Sequence, residues 1–402
     1  MDAQTLLLGL MDPANRADPY RLYAELAAAG PLALPEMSTA LFAGYLECDE
    51  VLRSPHVAND RMKSTVVQRQ IADGIAQPRP LGEPGFLFLD PPDHTRLRGL
   101  TQKAFAPKVI KAMEPEIVTM VDELLDRVEG SMDVVADLAY PLPVAVICRL
   151  LGVPLADESQ FSWASALLAQ SLDPFVAVTG EAADGAEERL AAGRWLRGYL
   201  RELIESRRSS PGEDLISELI AAEQDGDQLT SEEIVATCNL LLIAGHETTV
   251  NLIANAVLAM LRNRQHWEAL AADAGKAPAI IEEALRYDPP VQLTSRVATE
   301  ELQIGGITVG KGDIILLLLA AAQRDPRVYE RPDEFDPDRG VIRHLAFGKG
   351  PHFCIGAPLA RLEASVALSA LAARFPAARL AAEPAYKPNV TLRGLASLRV
   401  DL

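Results

Sequence analysis

Residues 347–361 read FGKGPHFCIGAPLAR and set one thiol, Cys354, among glycines at positions 348, 350 and 356. A cysteine that only packs needs no such surroundings, because it behaves as a small buried hydrophobe. Glycines crowded around a sulfur serve another end. They adopt backbone dihedrals closed to other residues and let main-chain N–H groups approach the sulfur from one side. The stretch fits Phe-x-x-Gly-x-[His/Arg]-x-Cys-x-Gly at every specified position, a pattern too long to arise easily by chance. Gly348-x-Gly350 also looks like the start of a nucleotide loop, but the third glycine and a preceding βαβ unit are missing. The loop predicts a thiolate presented to something large and flat.

Outward from this loop, the chain has 402 residues, 49% of them hydrophobic but only 5% aromatic, so Leu, Ala, Val and Ile must fill its core. Its 38 Lys and Arg against 56 Asp and Glu leave a net charge of −18. That balance argues against a nucleic-acid-binding or anionic-membrane surface. Cys48, Cys148, Cys238 and Cys354 are scattered, with no CxxC pair, which fits a reducing cytoplasm better than a disulfide framework. The apolar run LLLGLM (6–11) is too short to span a bilayer and lacks a signal-peptide layout. The expectation is a soluble cytoplasmic protein.

Helical periodicity dominates. The stretches 18–30, 106–130, 191–210 and 278–290 carry apolar residues three and four apart and end in Gly, Pro or Ser. Thr230-Ser231-Glu232-Glu233 reads as a capping box. No proline follows until beyond Arg262, so a helix of ~48 Å is expected there. Its middle is apolar on all faces, which places it through the centre of the protein. Strand patterns are short and late: LQIGGITVGKGDIILLLL (302–319) alternates around Gly305-Gly306 as a hairpin followed by a buried segment. Strand and helix do not alternate, so a mainly α fold with a small β lobe is predicted. Residues 59–84, 180–188 and 209–214 read as flexible connections, of the kind that form lids.

Three further motifs accompany the cysteine loop. AGHETT (244–249) puts a glycine, an acid and two hydroxyls inside the apolar helix. Threonine hydroxyls bond back to the carbonyl four residues earlier and bend or open a helix. An opened turn beside Glu247 and Thr248 would make a proton-delivery site with room for a small ligand; a kink satisfied by an internal ion pair fits the same residues. Glu283 and Arg286, three apart, share a helical face, although exposed pairs of this kind are common and nearly neutral. His94 and Arg98, four apart after Pro91-Pro92, suit a ligand carboxylate or form an ordinary solvated face.

Together these motifs resemble the cytochrome P450 family, in particular its soluble bacterial monooxygenases. The likeness runs from DPYRLYAEL (18–26) through LLGVP (150–154) to LRGLASLRV (392–400). It implies one triangular, mainly α domain over residues 1–402, with a small β lobe and a long central helix over haem b, iron protoporphyrin IX. By the same resemblance Cys354 is the proximal iron ligand, whose thiolate pushes electron density that favours O–O cleavage, and Phe347 packs beside it. His94, Arg98, Arg296 and His352 match the groups that hold the haem propionates. Glu247 and Thr248 match the acid–alcohol pair that assists protonation of bound oxygen. Glu283 and Arg286 would, with Arg339, tie the cysteine loop to the core, and His344 would face the haem edge.

The resemblance implies insertion of one oxygen atom from O2 into an apolar small molecule, by hydroxylation or epoxidation. Electrons would come from NAD(P)H through a separate ferredoxin and reductase, since no flavin or pyridine-nucleotide motif accompanies the haem module. A peroxide-driven peroxygenase is the nearest alternative, against which Glu247 and Thr248 argue; a non-catalytic haem sensor or carrier is the other. The implied pocket draws on residues 59–88 and 167–175, on Leu241, Ala244 and Thr248, on 291–294, and on Leu395-Ala396. Cations at Arg96, Arg98, Lys103, Lys108, Lys111, Arg343, Lys349 and Arg361 would steer an acidic ferredoxin or flavodoxin to a monomer. Two departures from the family pattern stand out. Gln323 replaces an asparagine, which predicts a structural role. Leu398-Arg399-Val400 replaces a Leu-Pro-Val ending near a turn that touches substrate.

Overall fold

Thr230 starts the helix on which the rest is assembled. Its hydroxyl accepts the backbone N–H of Glu233 at 3.3 Å, and the Glu233 carboxylate accepts the N–H of Thr230 at 2.8 Å, the reciprocal cap that the sequence predicts. In the computed structural model, which describes residues 3–75, 77–170, 185–224 and 229–402, this helix runs unbroken over Ser231–Arg262. Nearly every side chain from Ile234 to Met260 is buried. Among the described residues it is the one helix long and apolar enough to cross a membrane, but 78% of its most apolar window lies inside the protein. It is a core helix.

Helices Pro141–Leu151, Glu158–Gln170, Ala186–Ser209, Ala277–Tyr287 and Ala357–Arg374 pack around it. Tyr20–Ala29, Pro107–Leu125 and Ala277–Tyr287 form where apolar periodicity places them. Leu, Val, Ile and Ala make up most of the main core. Each fully buried Leu, Val or Ile side chain contributes ~1.5–3 kcal/mol.

The β component is small, as expected. One five-stranded sheet has the order Leu32–Leu34, Thr39–Phe42, Ile314–Leu317, Thr294–Ala298, Val57–Ala58. Only the pairing of Thr39–Phe42 with Ile314–Leu317 is parallel. Ile314–Leu317 is buried at every position, which explains its unalternating apolar run. Leu302–Ile304 and Ile307–Val309 form the predicted hairpin. Gly305 and Gly306 sit at φ +57° and +85°, the two left-handed residues that a tight hairpin turn demands. Arg399–Asp401 lies between Ser131–Asp133 and Arg379–Leu380 in a second sheet. The Leu398-Arg399-Val400 departure therefore lies in a sheet and does not line the internal cavity.

Two expected flexible segments are resolved differently. The stretch 209–214 is tied down, because the Asp214 carboxylate accepts Arg207 Nε and the N–H of Ser217 at 2.9 and 2.8 Å. Of residues 180–188, 180–184 lie outside the described residues and Ala186–Glu188 begin a helix.

The Glu283–Arg286 pair is far from an exposed helical pair, since neither side chain has any exposed area. Arg286 bonds Glu283 at 2.8 and 2.7 Å and the carbonyls of Gln323, Pro332 and Glu334 at 3.1, 2.8 and 2.9 Å. All five of its N–H donors are thereby used. Glu283 also accepts the N–H of Asp336 at 2.8 Å and Arg339 Nε at 3.2 Å. Gln323, fully buried, donates to the Leu285 carbonyl at 3.1 Å and accepts the N–H of Leu345 at 2.7 Å. Its role is structural, as predicted. Removing one partner strands a buried charge, so Arg286→Met is expected to cost about 3–5 kcal/mol, measured from the urea unfolding midpoint. A loss under ~1 kcal/mol, the value of an exposed pair, would show that the cluster does not hold this segment.

Candidate active site

The cysteine loop owes its shape to two glycines. Gly348 and Gly350 have φ of +67° and +66°, and a Cβ on Gly350 would lie 2.6 Å from the Leu52 carbonyl oxygen. No other residue fits there. The N–H of Cys354 donates to the Phe347 carbonyl at 2.8 Å. Three residues later the helix Ala357–Arg374 begins, so the sulfur sits at a helix N-terminus, where negative charge is favoured. Burial pushes the Cys354 thiol up, while the N–H groups of Gly356 and Ala357 and the guanidinium of Arg98 pull it back. Cys148 and Cys238 are pushed up to about 12 by burial, and of the four cysteines only Cys354 lines the internal cavity.

That cavity holds about 310 Å³, counted for the centre of a water molecule. It brings Cys354 and Phe347 together with Arg98, Arg296, His352 and Thr248. His94 lies just behind, its ring centroid 4.0 Å from that of His352. Both His94 ring nitrogens are buried without a hydrogen-bond partner. Arg98 donates to the Phe353 carbonyl at 2.6 Å, and Arg296 to the Ser295 carbonyl at 2.7 Å and the Thr294 hydroxyl at 3.4 Å. Among the described residues neither guanidinium has a carboxylate within ion-pair distance. Burial drives His352 down to about 3, drives Arg296 down to about 10, and lowers His94 and Arg98. Four donors gathered without an ion-pair partner among the described residues suit carboxylates from a ligand. The two propionates of a haem fit this set.

The acid–alcohol pair is split. Thr248 lines the cavity, its hydroxyl donating to the Ala244 carbonyl at 2.9 Å, and Thr249 bonds Gly245 likewise at 3.2 Å. The helix nevertheless stays continuous, so the expected opened turn is not formed. Gly245 serves close packing instead, since a Cβ would lie 2.9 Å from Ile147 Cδ1. Glu247 does not enter the cavity. Its carboxylate accepts Lys387 Nζ at 2.7 Å, and the same ammonium reaches Asn251 Oδ1 at 3.3 Å. The internal ion pair is real, and Lys387, from the C-terminal hairpin, is the partner that no motif marked.

Other expectations need correction. His344 does not face the cavity; its Nε2 pairs with Glu282 at 3.0 Å and its Nδ1 accepts the N–H of Ala346 at 3.3 Å. From 59–88 the cavity takes Asn59, Arg61 and Phe86–Phe88, and from 291–294 it takes Val291, Leu293 and Thr294. Leu395 and Ala396 do not contribute. A bridge between Val291 and Leu392 sets Thr391 and Leu392 at the cavity, while Leu395 pairs with Tyr386. Leu167–Ala169 do not line the cavity, and 171–175 lie outside the described residues. Of the predicted docking cations, Arg96 is held by Glu233 and Arg361 by Glu282. Lys103, Lys108, Lys111 and Arg343 remain exposed, and Lys349 is half-buried.

A cytochrome P450 family model matches residues 56–383. The chain belongs to the cytochrome P450 family. This P450 superposes on ligand-free CYP164A2 of Mycobacterium smegmatis over the whole of both chains, with a TM-score of 0.96 and 63% identity. It is 39% identical to a vitamin D(3) 25-hydroxylase of Pseudonocardia autotrophica, over 96% of this chain and 94% of that one. Identity to the monooxygenase PikC of Streptomyces venezuelae is also 39%, over 98% and 93%. The protein is a P450 monooxygenase, and the cofactor of its family and fold is haem b.

One ionisable cavity residue escaped the sequence reading. Glu363 is 2% exposed, one of its oxygens has no hydrogen-bond partner, and burial raises it to about 8 from 4.5. An acid on the inward face of an otherwise apolar helix was the available clue. The folded protein keeps this proton up to about pH 8, whereas the unfolded chain releases it near 4.5. Stability therefore falls as pH rises through that window, by up to ~1.4 kcal/mol per pH unit. Glu363→Gln, which imitates the protonated acid, should remove this slope in a series of Tm measurements from pH 5.5 to 8. Parallel Tm profiles for the two proteins would refute it.

Proposed function

We propose that this P450 inserts one oxygen atom from O2 into a C–H or C=C bond of an apolar small molecule, working as a cytoplasmic monomer whose single domain spans residues 1–402. NAD(P)H supplies electrons through a separate ferredoxin and reductase. The observation that carries the reading is one cavity shared by Cys354, Thr248 and a cluster of basic groups that form no ion pair among the described residues.

Bound in that cavity, the haem supplies the oxygen-activating chemistry, and a thiolate ligand strengthens it by donating electron density. Cys354 is the ligand, held by the Gly348–Gly350 turn and favoured as an anion by the N–H groups of Gly356 and Ala357. Phe347 covers its flank. His94, Arg98, Arg296 and His352 would hold the propionates. Thr248 holds the proton or water that the reaction consumes. Glu247 would relay it from the side of Lys387, whose ammonium orients the carboxylate at 2.7 Å. The cavity walls, largely Leu, Val, Ile and Phe, exclude water and select a rigid apolar substrate, a class to which the relative acting on vitamin D(3) points. Lys103, Lys108, Lys111 and Arg343 are the exposed cations that would steer an acidic ferredoxin or flavodoxin.

The ferrous protein under carbon monoxide should show the strongly red-shifted Soret band of a thiolate-ligated haem. Cys354→Ala should abolish it, and alanine at Cys48, Cys148 or Cys238 should not. A histidine-type band in the wild type would sink the reading.

Thr248→Ala and Lys387→Met should each lower the ratio of product formed to NAD(P)H consumed about 10-fold, within the range for losing a positioned proton donor. Electrons would be diverted to hydrogen peroxide, while substrate affinity stays within about twofold. An unchanged ratio in either variant removes that residue from proton delivery.

A further inference from the structure

The predicted docking residue Arg361 is engaged elsewhere, and its engagement has a direction. Its Nε and one terminal nitrogen bond the two oxygens of Glu282 at 2.6 and 2.9 Å. His344 Nε2 meets the same carboxylate at 3.0 Å. His344 Nδ1 accepts the N–H of Ala346, which leaves Nε2 to donate to the Glu282 carboxylate. Glu282 and Arg361 thus carry one negative and one positive charge. Burial alone would raise Glu282, but its bonds to Arg361 and His344 overcome this and hold it at about 2.

This pair is built against the ring that flanks the thiol. The Arg361 guanidinium lies 4.6 Å from the Phe347 centroid, and the His344 ring meets Phe347 edge-on at 5.6 Å. Phe347 lines the cavity and accepts the N–H of Cys354 through its carbonyl. His344 is 6% exposed, Glu282 28% and Arg361 37%; solvent screens these charges only in part.

We propose that Glu282, Arg361 and His344 form a charge-balanced support behind Phe347 that sets how readily the haem at Cys354 accepts its first electron. The proposal rests on the haem-thiolate reading above. In that step the ferric iron takes one electron from the donor and becomes ferrous, adding one negative charge to the site. A cation behind the ring favours the added charge and an anion opposes it. Glu282 therefore offsets Arg361, and His344 keeps the carboxylate in place. These are positioning residues, since none of them lines the cavity.

A helix-to-helix clamp between Ala277–Tyr287 and Ala357–Arg374 would use the same bonds, and the sign of the response separates the two. Spectroelectrochemical titration of the haem-loaded protein at pH 7 reads the reduced-to-oxidised ratio at a fixed ambient potential. Arg361→Met should lower that ratio about 3- to 10-fold, and Glu282→Gln should raise it by a similar factor. The double variant should return near the wild type, and Arg361→Lys, which keeps the charge and guards against a folding defect, should stay within about twofold. Single variants that shift the ratio in the same direction, or that lower Tm without moving it, would overturn the proposal. If the wild type lacks the thiolate-type carbon monoxide spectrum, the haem-thiolate reading and this proposal fall together. With that spectrum present and the opposite signs absent, only this proposal falls.

Discussion

A guanidinium with no exposed atom has to find every partner inside the protein. Arg286 does so by gathering three carbonyls and a carboxylate from segments that the chain visits far apart. Glu283 in turn collects the N–H of Asp336 and the side chain of Arg339. Gln323 joins the same knot to Leu345, immediately before the cysteine loop. An irregular stretch of some twenty residues, with almost no regular structure of its own, is thereby held as firmly as a sheet. The loop that presents Cys354 inherits its position from this buried charge. Satisfying the pair completely is what makes burying it tolerable.

The electrostatics of the cavity follow a similar logic with the opposite outcome. Among the described residues neither Arg98 nor Arg296 has a carboxylate within ion-pair distance, and both ring nitrogens of His94 lack a hydrogen-bond partner; this unmet demand suits a dicarboxylate cofactor. The cost of assembling such a cluster is recovered only when the cofactor arrives. Folding and cofactor binding are therefore linked, and stability should depend on occupancy by mass action.

Features encoded by neighbouring residues were legible in the sequence. The capping box at Thr230, the Gly305-Gly306 hairpin and the glycine-framed thiol each need only a few consecutive positions, and all three form as read. The family resemblance extended that reach to Arg296 and His352, which no local pattern connects. What stayed hidden depends on long-range register. Lys387 meets Glu247 across 140 positions, and Leu392 rather than Leu395 reaches the cavity because one bridge to Val291 sets the hairpin. His344 was misplaced for a related reason: adjacency to the cysteine loop does not say which way a ring turns, and Glu282 decides it. The opened helical turn failed because Ala244 and Gly245 supply carbonyls to both threonines without breaking the helix.

Gly350 packs against the Leu52 carbonyl, at the end of the helix Tyr45–Arg53. Two points almost 300 residues apart thus touch through backbone alone, with no side chain to absorb an error. The early part of the chain is in this sense half of the mould for the thiol loop. A ribosome that has released the first fifty residues has built one wall of a site whose reactive atom is still unsynthesised. The two walls can close only after the last quarter of the chain emerges, so the haem pocket is among the final parts of the molecule to exist.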